Sequence, residues 1–257
     1  MRYELLGNLR VVDAESTSSL GAQKVEILLA SLLTRVDRVV TADQLMGEIW
    51  GENLPRRAAA GLHVYISELR KFLRRPDRPE GPIITRSRGY MLCQGSDTLD
   101  SQTFMELADA GRTHLRGSRY AEAADAFEQG LALWRGPVFG DVGTGPLGRS
   151  FCTRLNEARM ECMEMLIDAQ LQLGRHRELV GLLYTLTTEN PLHEAFHRQL
   201  MLALYRSERR ADALKVYQSA RRTLIDELGV EPCPPLRDLH LTILRADDHA
   251  LAVLAPA

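Results

Sequence analysis

Apolar and polar positions change period several times along the first hundred residues. Tyr3 to Gly7 and Leu9 to Val12 read as two short strands, and Ser16 to Gly21 as a polar, turn-rich link. From Gln23 to Leu33 the period becomes helical, with Val25, Leu28, Leu29, Leu32 and Leu33 forming one stripe. Val39-Val40-Thr41 leads into a helix from Asp43 to Trp50, where Thr41 and Gln44 have the spacing of a capping box. A third helix starts after Pro55 and runs to about Leu73. At about 100° per residue, Leu62, Ile66, Leu69 and Leu73 share one of its faces. Pro82 to Cys93 then reads as a hairpin with Gly89 near its return.

Asp97 to Asp100 is a plausible boundary, beyond which the pattern is wholly helical: Phe104 to Leu115, Tyr120 to Trp134, Phe151 to Leu173, Glu178 to Thr188, His193 to Tyr205, Ala211 to Leu228 and Leu236 to Leu244. Helix starts recur at Arg119-Tyr120-Ala121-Glu122-Ala123, Arg175-His176-Arg177-Glu178-Leu179 and Arg209-Arg210-Ala211-Asp212-Ala213. Each has an apolar residue four positions on: Phe127, Leu183 and Tyr217. Leu179 and Ala213 are 34 residues apart, the tetratricopeptide period. The preceding interval, Ala123 to Leu179, is 56 residues, so it holds an insertion of 22, most easily placed in Gly136 to Ser150, a Gly-rich stretch unsuited to helix. Small strands, three helices and a terminal hairpin are the order of a winged helix-turn-helix of the response-regulator effector type. The expected fold is therefore mainly α, with an α+β winged helix-turn-helix over residues 1–97 and all-α tetratricopeptide-like repeats over 98–257.

With 257 residues and an apolar fraction of 45%, the chain can bury a core in each of two domains. The net charge of −2 argues against a uniformly basic coat for nucleic acid. Its distribution is more telling: residues 56–90 carry nine Arg or Lys against three Asp or Glu, while 98–257 carry 18 against 22. The chain opens on strand-like residues without an apolar leader, and no apolar run approaches a membrane span, so a cytoplasmic location is expected. Cys93, Cys152, Cys162 and Cys233 are scattered without metal-ligand spacing and read as reduced, mostly buried thiols.

Two short motifs carry chemistry on paper. His193-Glu194-Ala195-Phe196-His197 fits HExxH, in which two imidazoles four apart hold zinc, yet it opens a repeat helix and no third ligand follows at metalloprotease spacing. Gly143-Thr144-Gly145-Pro146-Leu147-Gly148 fits GxGxxG, but no strand precedes it and Pro146 is awkward in a phosphate-cradling turn. No catalytic set has support beyond the presence of its letters. The chain is expected not to be an enzyme and to need no cofactor or metal.

The third helix and the hairpin point elsewhere. Opposite the apolar stripe lie Arg57, Ala60, Val64, Ser67, Glu68 and Lys71. An ordinary solvated helix would not normally keep Ala60 and Val64 outward, whereas a helix in the major groove can set such groups against thymine methyls. His63, Arg70 and Arg74 flank this face and suit phosphate contacts, although Arg70 could instead pair locally with Glu68 or Asp77. Arg86 and Arg88 stand at the hairpin tip, where a guanidinium could enter a narrow minor groove, bind phosphate, or remain a solvated turn charge. Trp50 suits a core position. The loop Gly51-Glu52-Asn53-Leu54 beside it is short and open to a protein partner.

The winged helix pattern, together with LALWRGPVFGDV (131–142) and ENPLHEAFHRQLMLALYRSERRADALKVYQSARRTLIDELGVEP (189–232), resembles the Streptomyces antibiotic regulatory protein activators. The resemblance runs from Tyr3 to about Leu244. It implies a pathway-specific activator of a secondary-metabolite gene cluster, with a bacterial transcriptional activation domain behind the winged helix. It further implies binding to direct repeats of double-stranded promoter DNA beside a second copy, and recruitment of RNA polymerase through its sigma factor and alpha subunit. Gly51, Glu52, Asn53 and Leu54 become candidates for the polymerase contact. The usual glycine of the repeat turn is replaced by Glu208, an exchange expected to stiffen or reshape that turn. The competing reading is a helical-repeat adaptor whose N-terminal domain binds protein or RNA.

Overall fold

Four strands gather around the start of the chain. In the computed structural model, which describes all residues except 14–15, 19, 77 and 246–257, β1 (Arg2–Glu4) pairs antiparallel with β2 (Arg10–Asp13), and β2 with β3 (Ser16–Ser18). Strand β7 (Thr98–Leu99) adds parallel to β1, giving the order β3-β2-β1-β7. The expected link at Ser16 to Gly21 thus begins as a strand. Its Ser-Thr-Ser sequence has no apolar alternation, but its backbone pairs with Val11 to Asp13. The first strand also ends earlier than Gly7. The Leu5 N–H donates to Asp100 Oδ1 (2.8 Å) and the Leu6 N–H to Asp100 Oδ2 (3.0 Å), which takes the backbone out of the sheet.

Helix α1 (Gln23–Leu33) follows its stripe, burying Val25, Leu28, Leu29, Leu32 and Leu33. Strand β4 (Val40–Thr41) leads into α2 (Ala42–Trp50), whose N-terminus carries the capping box: Thr41 Oγ1 accepts from Gln44 N at 3.2 Å, and Gln44 Oε1 accepts from Thr41 N at 3.1 Å. Helix α3 (Ala58–Phe72) buries Ala58, Leu62, Ile66 and Leu69. The hairpin of β5 (Ile83–Arg86) and β6 (Gly89–Leu92) joins β4 in the order β4-β6-β5. Gly89 is required there, because a Cβ would lie 2.0 Å from the Val40 carbonyl oxygen.

The later helices are α4 (Asp100–Arg116), α5 (Tyr120–Ala132), α6 (Pro146–Gln172), α7 (His176–Glu189), α8 (Glu194–Arg206), α9 (Arg210–Leu228) and α10 (Pro234–Arg245). Helix α6 begins inside the stretch expected to resist helix. Pro146 occupies its first position, where a missing N–H costs nothing and the fixed φ is helical.

Two compact units result, one of Met1–Glu106 with Gly130–Arg159, the other of Leu107–Gln129 with Met160 onward. In the first, Arg135 N donates to Leu6 O (2.7 Å) and Phe139 N to Leu5 O (2.8 Å). Trp134 meets Phe104 edge-on, and Phe139 stacks on Phe151. In the second, Leu179, Leu183, Phe196, Leu200, Met201, Ala213, Ala220, Leu236 and Ile243 build the core. The three repeat turns share one backbone form: Ser118, Gly174 and Glu208 have φ of 55°, 81° and 64°, and each precedes an arginine. Glu208 therefore leaves the left-handed turn in place.

Candidate nucleic-acid interface

Helix α3 presents the outward face expected of it. Ala60, His63, Val64, Ser67, Glu68 and Lys71 are exposed on it, with Val64 62% open to solvent, while Arg57, expected on the helix, caps its start and Arg74 follows its end, both also exposed. An isolated apolar side chain amid Arg, Ser and Lys can make van der Waals contact with a groove floor while its neighbours hydrogen-bond. Among the described residues, no element of the first unit covers this row.

Arg86 ends β5 and Arg88 lies in the two-residue turn to β6, both side chains exposed. The Arg88 carbonyl accepts from Ala42 N at 3.1 Å, which ties the tip backbone to the start of α2. Of the basic residues flanking α3, Arg74 is exposed, whereas Arg70 is half-buried and engaged: its Nε donates to Ile83 O (3.1 Å) and its Nη2 to Thr85 Oγ1 (2.8 Å). Asp77, the other partner suggested for Arg70, lies outside the described residues. His63 Nδ1 is 2.8 Å from the hydroxyl of Tyr90. Tyr90 and Thr85 join the site although the sequence reading does not include them. The alternation of Tyr90 with Leu92 on β6 marks both as inward-facing and could have identified Tyr90.

The loop Gly51-Glu52-Asn53-Leu54 is exposed along its length, and Leu54 keeps 55% of its surface open. Trp50 beside it is half-buried, its ring 5.9 Å from that of Tyr65, with Lys24 Nζ 5.6 Å from its centroid.

Both short motifs have structural partners. In the GxGxxG segment, the N–H groups of Leu147 and Gly148 donate to the Glu48 carboxylate at 2.7 and 3.3 Å. A carboxylate thus occupies the helix end where a phosphate would sit in a dinucleotide site. In the HExxH segment, His193 Nε2 lies 2.6 Å from Glu164 Oε1, and His197 Nε2 lies 2.9 Å from Pro191 O. Among the described residues, no cluster of three or more His, Cys, Asp or Glu side chains is placed to hold a metal ion. No described helix is long and apolar enough to cross a membrane.

The bacterial transcriptional activator domain matches residues 99–244, and the C-terminal domain of transcriptional regulatory proteins matches residues 17–92. Regulatory protein AfsR of Streptomyces coelicolor is 39% identical over 260 residues, covering 100% of this chain and 25% of the relative, so the chain spans about a quarter of that protein. The transcriptional regulator RedD of the same species is 33% identical, with 96% of this chain and 71% of RedD covered. Regulatory protein DnrI of Streptomyces peucetius is also 33% identical, over 96% of this chain and 93% of DnrI. Among solved structures, Mycobacterium tuberculosis EmbR in complex with a low-affinity phosphopeptide superposes with a TM-score of 0.90 at 32% identity, over 95% of this chain and 65% of that one. Winged helix, helical repeats and relatives agree: the chain belongs to the Streptomyces antibiotic regulatory protein family of transcriptional activators.

Proposed function

We propose that this chain activates transcription of a secondary-metabolite (antibiotic) gene cluster by reading promoter DNA with α3 and the β5–β6 wing. The observation that carries the reading is the exposed row on α3, in which Val64 stands open among Arg57, Ala60, Ser67 and Lys71 beside a wing tip bearing Arg86 and Arg88. Lys71 and Ser67 supply hydrogen bonds to base edges, Ala60 and Val64 contact thymine methyls, and Arg57 and Arg74 hold phosphates. Arg86 and Arg88 address the backbone or a narrow minor groove.

Residues 1–97 form the DNA-binding domain and 98–257 the activation domain, of which 246–257 lie outside the described residues. Two copies bind direct repeats near a promoter and recruit RNA polymerase through its sigma factor and alpha subunit, with Gly51 to Leu54 offering an exposed, partly apolar contact. The protein works in the cytoplasm, away from membranes, without catalysis or cofactor. Selection of preferred duplexes from random-sequence DNA, followed by footprinting, tests the reading. Protection of two similarly oriented half-sites at a fixed separation is expected, and in vitro transcription from such a template should rise on adding the protein. Equal binding to all sequences would overturn it.

A further inference from the structure

Helix α3 grips the wing next to its tip, through Arg70 and His63. Thr85 and Tyr90 are cross-strand partners, and the next pair, Arg86 with Gly89, closes the hairpin. From one side Arg70 donates Nη2 to Thr85 Oγ1 at 2.8 Å and Nε to Ile83 O at 3.1 Å, with its guanidinium 5.9 Å from the Tyr90 ring centroid. From the other, His63 Nδ1 meets the Tyr90 hydroxyl at 2.8 Å, the two rings edge to face. Tyr90 is 4% exposed, so its hydroxyl needs a partner. His63 and Arg70 stand seven residues apart, two turns along one side of α3. They bracket the outward row at Val64 and Ser67.

The geometry points to Arg70 and His63 as positioning residues that fix the wing tip relative to the reading face of α3, so that Arg86 and Arg88 meet DNA in register with Val64, Ser67 and Lys71. This deepens the DNA-reading proposal and rests on it. Strand β5 is the edge of the β4-β6-β5 sheet, and among the described residues its outer side is held by Arg70. A short edge strand without such an anchor frays, and its tip loses a fixed position. A planar fork suits the task, because one guanidinium reaches a carbonyl and a hydroxyl two residues apart on the same strand, which a lysine ammonium cannot reproduce. A phosphate contact would need only the positive charge.

That difference supplies the test. Arg70→Lys keeps the charge and loses the fork, while Thr85→Val, at an exposed edge-strand position, loses the acceptor and leaves charge untouched. The probe is a duplex recovered from random-sequence DNA by selection with the unaltered chain. Each variant should weaken binding about tenfold with the salt dependence unchanged. In either background Arg86→Ala should cost far less than it does in the unaltered chain, because the two residues act through one contact. Hydrogen exchange at the amides of 86–90 in the DNA-free protein should quicken in both variants. Full affinity in Arg70→Lys, or additive losses with Arg86→Ala, would overturn the proposal. So would unchanged exchange. If selection recovers no preferred duplex, the reading of the chain as a sequence-specific activator fails instead, and the exchange measurement still decides the clamp.

Discussion

The carboxylate of Glu48 accepts the backbone N–H of Leu147 at 2.7 Å, across 99 residues of sequence. Its other oxygen takes the N–H of Gly148, so a side chain of α2 does for α6 what an N-cap residue does for its own helix. Glu48 is 5% exposed and Gly148 is buried, while Leu147 is half-buried. Glu48→Ala should destabilise the first unit by about 1–3 kcal/mol. Glu48→Gln, which keeps one acceptor, should cost less. Urea unfolding followed by Trp fluorescence measures both, and a loss for Glu48→Ala within error of zero would show that the contact is not formed in solution.

Asp100 performs a similar task elsewhere in the first unit. It accepts from Leu5 N and Leu6 N and from Arg135 Nη2 at 3.1 Å, and burial raises its carboxyl above the usual aspartate value. A fragment of residues 1–97 retains α3 and the wing but lacks Asp100, Arg135 and Phe139, leaving the N–H and C=O groups of Leu5 and Leu6 without partners. We expect it to keep its sequence preference with weaker affinity and to melt lower than the first unit of the whole chain. In the full chain Asp100→Ala should cost about 1–3 kcal/mol. Differential scanning calorimetry of the fragment and the point variant tests both, and a fragment as stable as the intact unit would refute the expectation.

Period explains which parts of the structure were legible in the sequence. The stripe from Val25 to Leu33, the Thr41–Gln44 box and the apolar face of α3 are local patterns, and the structure places them where they were read. Strand β3 was missed because Ser-Thr-Ser carries no apolar alternation and is specified by its neighbour's backbone. The start of α6 was missed because Pro and Gly argue against helix locally, whereas its cap comes from Glu48, far away in sequence. Arg70 was ambiguous for a chemical reason. A cation at the edge of an exposed helical face reads the same whether it meets phosphate or a neighbouring strand, and only Ile83 O and Thr85 Oγ1 distinguish the two.

Glu208 holds a left-handed backbone at φ 64°, where the equivalent turn before α7 uses Gly174 at 81°. A side chain with a Cβ pays about 1–2 kcal/mol in that region, offset in part by glycine's greater freedom in the unfolded chain. Glu208→Gly should therefore stabilise the second unit by up to about 1 kcal/mol, seen as a rise in its melting temperature. Glu208→Val should lower it, because a β-branched residue fits this region poorly. A fall for the glycine variant would mean that the glutamate side chain contributes more than its backbone costs.

Acid should weaken the second unit. His176, His197 and His240 all titrate below the usual histidine value of 6.5, in each case chiefly because burial penalises the charged ring. His197 is the clearest, since its Nε2 faces Pro191 O while Nδ1 is buried with no partner, so a second proton would be placed where nothing accepts it. The unfolded chain takes up protons first. The contribution is therefore fully present above about pH 6.5 and lost as pH falls towards the depressed folded values. Melting curves at about pH 7.5 and about pH 5.5 should show the loss. His197→Gln should flatten the dependence, and a variant whose pH dependence matched that of the unaltered chain would contradict the role given to His197.

The exposed row on α3 separates by role, because phosphate contacts set affinity while base-edge contacts set choice. Arg74 lies at the edge of the row and is exposed. Arg74→Ala should weaken binding to all duplexes alike and reduce the salt slope by about one unit. Val64, Ser67 and Lys71 lie at the centre of the row, and Val64 is a large apolar side chain left open there. Changing one of them should cost about 1–3 kcal/mol on the preferred duplex and relax selectivity at one or two base pairs, with little effect on scrambled DNA. Arg86→Ala should show a third behaviour, a loss that tracks A·T content beside the half-site, because a minor-groove guanidinium responds to groove width. Salt titrations of each variant on preferred and scrambled duplexes distinguish the three. If Val64, Ser67 and Lys71 variants lost affinity equally on both duplexes, α3 would not be the reading element, and the wing or another surface would have to carry the choice of sequence.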